Sequence, residues 1–162
     1  TLSEKETCGS LHDKLKEVGA KLLVETLVKL ETGEAVRIPQ NDEEHTYARM
    51  LDKAMGNIDF ASSAIVIERL IRGLNPWPSA YTSFEGKTLK VYEAAVIMSE
   101  NETNISNEIP GTIIAVDKKS FTVACGEGKL RIINLQLEGK KRMDTSAFLL
   151  GNKVEIGMKL GN

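Results

Sequence analysis

The hydrophobic periodicity of the chain changes from helical to alternating at the segment Asn75-Pro76-Trp77-Pro78, and this change limits what the chain can fold into. A continuous helix is excluded there, because each proline pushes the preceding residue toward extended backbone. Before this segment, apolar residues recur at steps of three and four, which predicts helices. After it, short alternating runs are separated by turn residues, which predicts strands. The chain therefore combines a helical first part with a β-rich second part.

Two helices are predicted before the proline segment. One spans residues 10–30, where Ser10 is suited to cap the first turn. The other starts at Ser62 or Ser63 and runs to Gly73, which is suited to end it.

Five short strands with tight turns and a last short helix at residues 144–150 are predicted after the proline segment. An acidic, Asn-rich loop at residues 99–108 follows the second strand. This spacing predicts a mainly β unit with helices, folded as a small closed or partly open barrel. The strands comprise residues 80–84, 87–97, 111–116, 121–125 and 130–137.

The composition of the 162 residues, with 27% charged side chains and a net charge of −2, excludes a disordered or collagen-like chain. No apolar run approaches the roughly 18 residues needed to span a bilayer. The first residues carry no secretory signal pattern, and because they lack an initiator Met we expect sequence upstream of them. Cys8 and Cys125 lie far apart, which favours reduced thiols and a cytoplasmic protein.

The charge is distributed unevenly along the chain. Residues 1–109 carry 12 basic and 18 acidic side chains, whereas residues 110–162 carry 9 basic and 5 acidic ones. Only residues 110–162 have the net positive charge that favours binding to a polyanion. The pI of about 5.8 argues against a protein that coats nucleic acid without orientation, and leaves a local anion contact.

Basic clusters in the second part are the candidate contacts for nucleic-acid phosphates. The densest cluster is at residues 140–142, and another lies at the tip of the hairpin around residues 117–120. A solvated turn is the alternative interpretation of both. Two further basic residues on the last long strand alternate with apolar neighbours and would therefore project from one face. The candidates are Lys118, Lys119, Lys129, Arg131, Lys140, Lys141 and Arg142.

The aromatic residues and Cys125 are predicted to be structural. Trp77 is predicted as a buried anchor between helix and barrel, and Tyr81, Phe84 and Tyr92 as an aromatic stripe of the core. Cys125 has no His near it in sequence to activate a thiol, which favours a small core residue. The scattered acidic residues have no metal-ligand spacing, so we predict no metal, no cofactor and no catalytic residue in this chain.

Four segments in series resemble the C-terminal domain of methionyl-tRNA formyltransferases. Their order and spacing match those of that family, and residues 7–15 resemble the last helix of its N-terminal formyltransferase domain. The four segments are residues 72–81, 86–91, 110–113 and 135–143.

This resemblance implies a leftover helix of an α/β formyltransferase domain at residues 1–32, a linker at 33–57 and an OB-like five-stranded β-barrel at 58–162. It implies an enzyme that transfers a formyl group from 10-formyltetrahydrofolate to methionyl initiator tRNA in translation initiation. The family's catalytic Asn, His and Asp would lie upstream of Thr1. We therefore expect this chain to be catalytically inert and to bind the tRNA for its missing N-terminal domain.

In the same family the linker is basic and touches tRNA. Arg49 and Lys53 are one turn apart if their stretch is helical, but Asp52 and the acidic residues 42–44 dilute the charge, so Lys53 matches better.

Two alternatives to this function remain. One is a sugar-nucleotide N-formyltransferase or a formyltetrahydrofolate hydrolase or dehydrogenase, and the other is a free-standing OB-like module that binds nucleic acid. The free-standing module is disfavoured, because the apolar face of the helix at residues 10–30 needs a partner surface that such a module would not supply. We expect this helix to be poorly supported or to pack against the barrel or a second molecule.

Overall fold

The computed structural model describes residues 1–97 and 108–161, so the predicted acidic loop at 99–108 lies outside the described residues except for Glu108. The helices are α1 (Cys8–Glu31), a short 3₁₀ helix (Lys53–Gly56), α2 (Ala64–Gly73) and α3 (Thr145–Gly151). The strands are β1 (Ala80–Phe84), β2 (Lys87–Ile97), β3 (Ile113–Val116), β4 (Phe121–Ala124), β5 (Lys129–Leu137) and β6 (Met143–Asp144).

The strands form one antiparallel sheet in the order β1-β2-β5-β4-β3, and β6 pairs with β5. The prediction of a mainly β fold with helices is confirmed. The sheet has six strands because the two residues of β6 pair with Asn134 and Leu135 next to the end of β4. It is not closed into a barrel, since β1 and β3 stand at its two ends.

A C-terminal segment, residues 157–161, bridges the two ends of the open sheet. At one end the Gly157 amide donates to the Ile113 carbonyl and the Ile113 amide donates to the Met158 carbonyl, both at 2.8 Å. At the other end the Gly161 amide donates to the Ser83 carbonyl of β1 at 3.0 Å. Leu160, which is 1% exposed, fills the core between them. The segment thus satisfies backbone groups that an open sheet would leave unpaired.

The core lies on one side of the sheet because apolar residues alternate along the strands. Ile67 and Ile71 of α2 lie four residues apart on one helical face and are buried against it. Phe148 of α3 meets Phe84 of β1 edge to face, with ring centroids 5.7 Å apart.

The start of α2 is joined to the turn between β4 and β5. Ser63 caps α2, and the amide of Ala64 donates to the Glu127 carbonyl at 2.8 Å. The Gly126 amide donates to the Phe60 carbonyl at 2.8 Å. The backbones approach so closely that a Cβ on Gly126 would lie 1.9 Å from the Ala61 carbonyl oxygen. Only glycine fits at this crossing.

α1 is fixed to the rest of the chain at its first turn. The Arg72 guanidinium donates to the Glu6 carbonyl at 2.8 Å, and the Gly9 amide donates to the Asn75 carbonyl at 3.0 Å. The Glu6 carboxylate pairs with Lys14 at 2.6 Å and accepts a hydrogen bond from Ser10. These bonds, together with the capping of the first turn, hold the start of the helix in place.

The predicted N-cap of α1 is wrong, and no residue of the helix is buried. Thr7 caps it in a reciprocal capping box with Ser10, so the helix begins at Cys8. The absence of buried residues in α1 confirms the expected lack of support. Eight of its apolar side chains are each more than half exposed, namely Leu15, Val18, Leu22, Leu23, Val24, Leu27, Val28 and Leu30.

Three of the four predicted aromatic placements are wrong. Trp77 is 57% exposed, because Leu74 and Pro78 on either side of it are buried instead. Phe84 is in the core as predicted, but Tyr81 and Tyr92 alternate with the buried residues of β1 and β2, so both leave the core stripe.

Substitution of Gly126 tests the junction of α2 with the β4–β5 turn. We expect Gly126→Ala to lower the free energy of unfolding by roughly 2 to 4 kcal/mol, since the new methyl group overlaps the Ala61 carbonyl. Gly73→Ala is the matched control, because a Cβ there meets nothing within 4 Å. Urea unfolding followed by circular dichroism measures both. Equal midpoints for the two variants would contradict the close approach.

Protonation of Glu6 should loosen the first turn of α1. Hydrogen bonds from Lys14 and then Ser10 hold the pKa of Glu6 at about 2, below its ordinary 4.5. A carboxyl whose pKa is lowered by folding stabilises this first turn above pH 4.5, and that contribution disappears as the pH falls toward 2. Trp77, the single Trp, follows Pro76, which touches Gly9 of that turn, so its fluorescence should report the loosening.

Glu6→Gln is expected to abolish the pH dependence of the Trp77 signal, and Glu25→Gln, at an exposed position of α1, should leave it unchanged. A titration that is the same in both variants would show that Glu6 does not hold the helix.

Candidate nucleic-acid interface

The side of the sheet that faces away from the core carries a row of polar and aromatic side chains, which we call the outer face. On β2, Lys90 alternates with the buried Leu89 and Val91. Its partners across the sheet are Tyr81 of β1 and Gln136 of β5. All three point away from the core, because residues in register share one face.

Tyr92 is also on the outer face. It lies two residues after Lys90, so the alternation of β2 points it outward as well. The register between β2 and β5 shifts after Val91, so Tyr92 has no direct partner on β5. The Tyr92 hydroxyl donates to the Gln136 side-chain oxygen at 2.9 Å, on the same face as Lys90.

Arg142 lies across this face. Its guanidinium carbon is 4.3 Å from the centroid of the Tyr92 ring, which is cation–π geometry. Its Nε donates to the Asn134 side-chain oxygen, and the Asn134 amide donates to Asp144 at 2.9 Å. These bonds fix an exposed arginine in one orientation on the sheet.

The turn between β5 and β6 is held at both ends, which positions its lysines. Glu138 and Thr88 bond reciprocally: the Thr88 amide donates to the Glu138 carboxylate at 2.9 Å, and the Glu138 amide donates to the Thr88 carbonyl at 2.8 Å. The Thr88 hydrogen bonds lower the pKa of Glu138. Gln136 donates to the Lys140 carbonyl at 2.8 Å. Lys140 and Lys141 are exposed on this ordered turn.

A second basic cluster lies at the hairpin between β3 and β4. Asp117 accepts hydrogen bonds from the Lys119 amide at 2.6 Å and from the Ser120 amide at 2.8 Å. These bonds, with a smaller contribution from the charge of Arg131, lower the pKa of Asp117. These hydrogen bonds therefore order the hairpin tip that carries Lys118 and Lys119, and Asp117 at its start lies near Arg131.

The remaining candidates take different positions. Lys129 and Arg131 flank the buried Leu130 on the side of β5 away from the core, as the alternation predicts, with Lys129 half-buried. The helical stretch that would bring Arg49 next to Lys53 does not form. Arg49 is in irregular backbone and Lys53 begins the 3₁₀ helix, whose N-cap is Asp52.

Lys90 and Tyr92 were missed as candidate contacts. Lys90 stands between two apolar residues of a strand, which is a sequence signal for an outward side chain. Tyr92 has the same parity as Lys90 on β2, so the alternation also indicates an outward direction for it.

Other chemistries find no support in the part of the chain that the structure describes. Burial raises the pKa of the Cys125 thiol to about 12, so this residue is a protonated core side chain rather than a nucleophile. Among residues 1–97 and 108–161 no three metal-binding side chains come together. Over the same ranges, no helix combines the length and the apolar character that crossing a membrane requires.

Residues 50–153 match the family described as the formyl transferase C-terminal domain. A methionyl-tRNA formyltransferase of Lachnospira eligens is 51% identical over 160 residues, which are 99% of this chain and 51% of that protein. One of Agathobacter rectalis is 50% identical over 156 residues, or 96% of this chain and 49% of that protein. The chain thus spans about half the length of the curated relatives it matches.

The fold is also found in solved structures of HypX from Aquifex aeolicus. A variant of HypX matches with a TM-score of 0.62 and 17% identity, over 98% of this chain and 31% of that chain. HypX in complex with tetrahydrofolic acid matches with a TM-score of 0.54 and 18% identity, over 85% of this chain and 26% of that chain. These likenesses support the fold alone. From the family match, which covers more than half of the chain, the chain belongs to the formyl transferase C-terminal domain family.

Proposed function

We propose that this chain binds and orients methionyl initiator tRNA for formylation in translation initiation. The observation that carries the proposal is the outer face, where Lys90 and the lysines of the ordered β5–β6 turn lie beside the Tyr92–Arg142 pair. Phosphate contacts from such lysines supply affinity and position without reading sequence. The names of the relatives supply the substrate class.

The arrangement of the charges supports an oriented contact. The β5–β6 turn carries Lys140 and Lys141, while the β3–β4 tip carries Lys118 and Lys119 next to Arg131. Both clusters are on ordered turns that flank the same strand, β5. Two fixed clusters define a direction for a rigid RNA helix, which a single cluster cannot do.

Formyl transfer itself is assigned to the rest of a longer enzyme, with 10-formyltetrahydrofolate as the donor and the cytoplasm as its location. Acyl transfer to an amine needs a group that moves the proton and donors for the oxyanion. The described residues of the outer face are amides, phenols and permanently charged cations, which suit binding. The linker residues Arg49 and Lys53 remain proposed contacts of the same tRNA.

Charge reversal on the β5–β6 turn tests the proposal. We expect the chain to bind initiator tRNA with a log K that falls linearly with log salt, by roughly 0.7 to 0.9 for each phosphate neutralised. Lys140→Glu with Lys141→Glu should flatten that slope by about 1.5 if each lysine contacts one phosphate. Fluorescence anisotropy with labelled initiator tRNA and with bulk tRNA, over a salt series, measures both values.

The matched control is Lys21→Glu with Lys29→Glu, which makes the same change of charge on the exposed surface of α1. We expect the control to keep the slope of the unaltered chain. If the unaltered chain binds no tRNA even at low salt, the proposal fails and the sugar-nucleotide or formyltetrahydrofolate-hydrolysing alternative gains. If both double variants change the slope equally, binding follows net charge and the outer face is not the contact.

A further inference from the structure

A groove beside the outer face is not used by the proposed phosphate contacts. It has a volume of about 710 Å³ and runs between the middle of β2 and the segment of residues 4–7 that precedes α1. Tyr92 and Arg142 both line it. It is large enough for a planar group of the size of a nucleobase.

The two stacked side chains offer this groove a flat surface. The Arg142 guanidinium carbon lies over the Tyr92 ring, 4.3 Å from its centroid, and its Nε donates to Asn134. The Arg142 side chain is exposed and lines the groove together with Tyr92. Arginine stacks on planar partners as well as bonding to anions, and single-stranded nucleic acids bind through such platforms.

The charges of the groove favour a neutral occupant over a phosphate. Its basic residues besides Arg142 are Lys5 and Arg72, and Arg72 is already bonded to Glu68 and to the Glu6 carbonyl. Its acidic residues, including Glu4 and Glu93, equal the basic ones in number. A phosphate would meet no net positive charge here, whereas a base would meet the planar pair.

We propose that this groove takes one unpaired nucleobase of RNA, stacked on the Arg142–Tyr92 pair. The proposal rests on the proposed function and makes Arg142 a stacking contact, distinct from the phosphate contacts of Lys140 and Lys141. The groove then distinguishes RNA with an unpaired nucleotide at this position from a continuous duplex, whose bases are already stacked on one another.

The test uses a single-stranded RNA octamer with a central 2-aminopurine and the blunt duplex formed with its complement, since stacking quenches 2-aminopurine. We expect the whole chain to quench the octamer. Arg142→Lys keeps the charge and removes the planar surface, so it should weaken octamer binding by roughly 5- to 100-fold and abolish the quenching. Duplex binding should change less than twofold. Arg69→Lys, at an exposed position of α2, is the matched control and should change neither.

Tyr92 provides an independent pair of variants. Tyr92→Phe keeps the ring and loses the hydroxyl bond to Gln136, and we expect it to retain the quenching. Tyr92→Leu should lose the quenching while circular dichroism verifies the same unfolding midpoint as for Tyr92→Phe.

The outcomes separate the two proposals. If Arg142→Lys binds and quenches the octamer as the unaltered chain does, the stacking site is refuted while salt-dependent tRNA binding stands. If octamer, duplex and tRNA all fail to bind at low salt, both proposals fall together.

Discussion

The pairing of β2 with β5 is the constraint on which the core and the outer face both depend. It runs from Leu89 opposite Leu137 to Ile97 opposite Lys129. Because side chains alternate along a strand, a slip of one residue would exchange the buried residues for the outward ones. The same register that buries Val91 and Leu135 therefore sets Lys90 beside Gln136 on the opposite side. The same β2–β5 pairing determines both the core and the outer face. A substitution that shifts its register therefore affects folding and binding together.

The segments around the sheet differ in how many contacts attach them to it. Residues 157–161 join both ends of the sheet by backbone hydrogen bonds, and α2 is joined to the β4–β5 turn at a crossing that only Gly126 permits. α1, in contrast, is bonded through its first turn, and the remainder presents apolar side chains to solvent. An exposed apolar stripe of this length is a typical contact surface.

The sequence predicts regular elements well and long-range geometry poorly. The strands at 80–84 and 87–97 match the structure because Glu85-Gly86 marks the turn and the flanking runs alternate. Trp77 was misplaced because the course of its loop is set by distant contacts: Asn75 donates its side-chain amide to the Tyr92 carbonyl and accepts from the Gly9 amide. The basic cluster at 140–142 was visible, but the contact of Arg142 with Tyr92 was not, because it forms only where β6 returns beside β5.

Arginine and lysine divide the work on the outer face according to how each is held. Lys140 and Lys141 are flexible point charges on a turn whose backbone is fixed by Glu138 and Gln136, so they can reach a phosphate without a large search of conformations. Arg142 has lost that freedom, because its guanidinium is bonded to Asn134 and stacked on Tyr92. A cation held in this way gains little as a counterion, yet its flat surface is positioned before any ligand arrives. Preorganisation reduces the entropy cost of binding. The fixed arginine is therefore suited to selecting the shape of an RNA, and the mobile lysines to attracting it.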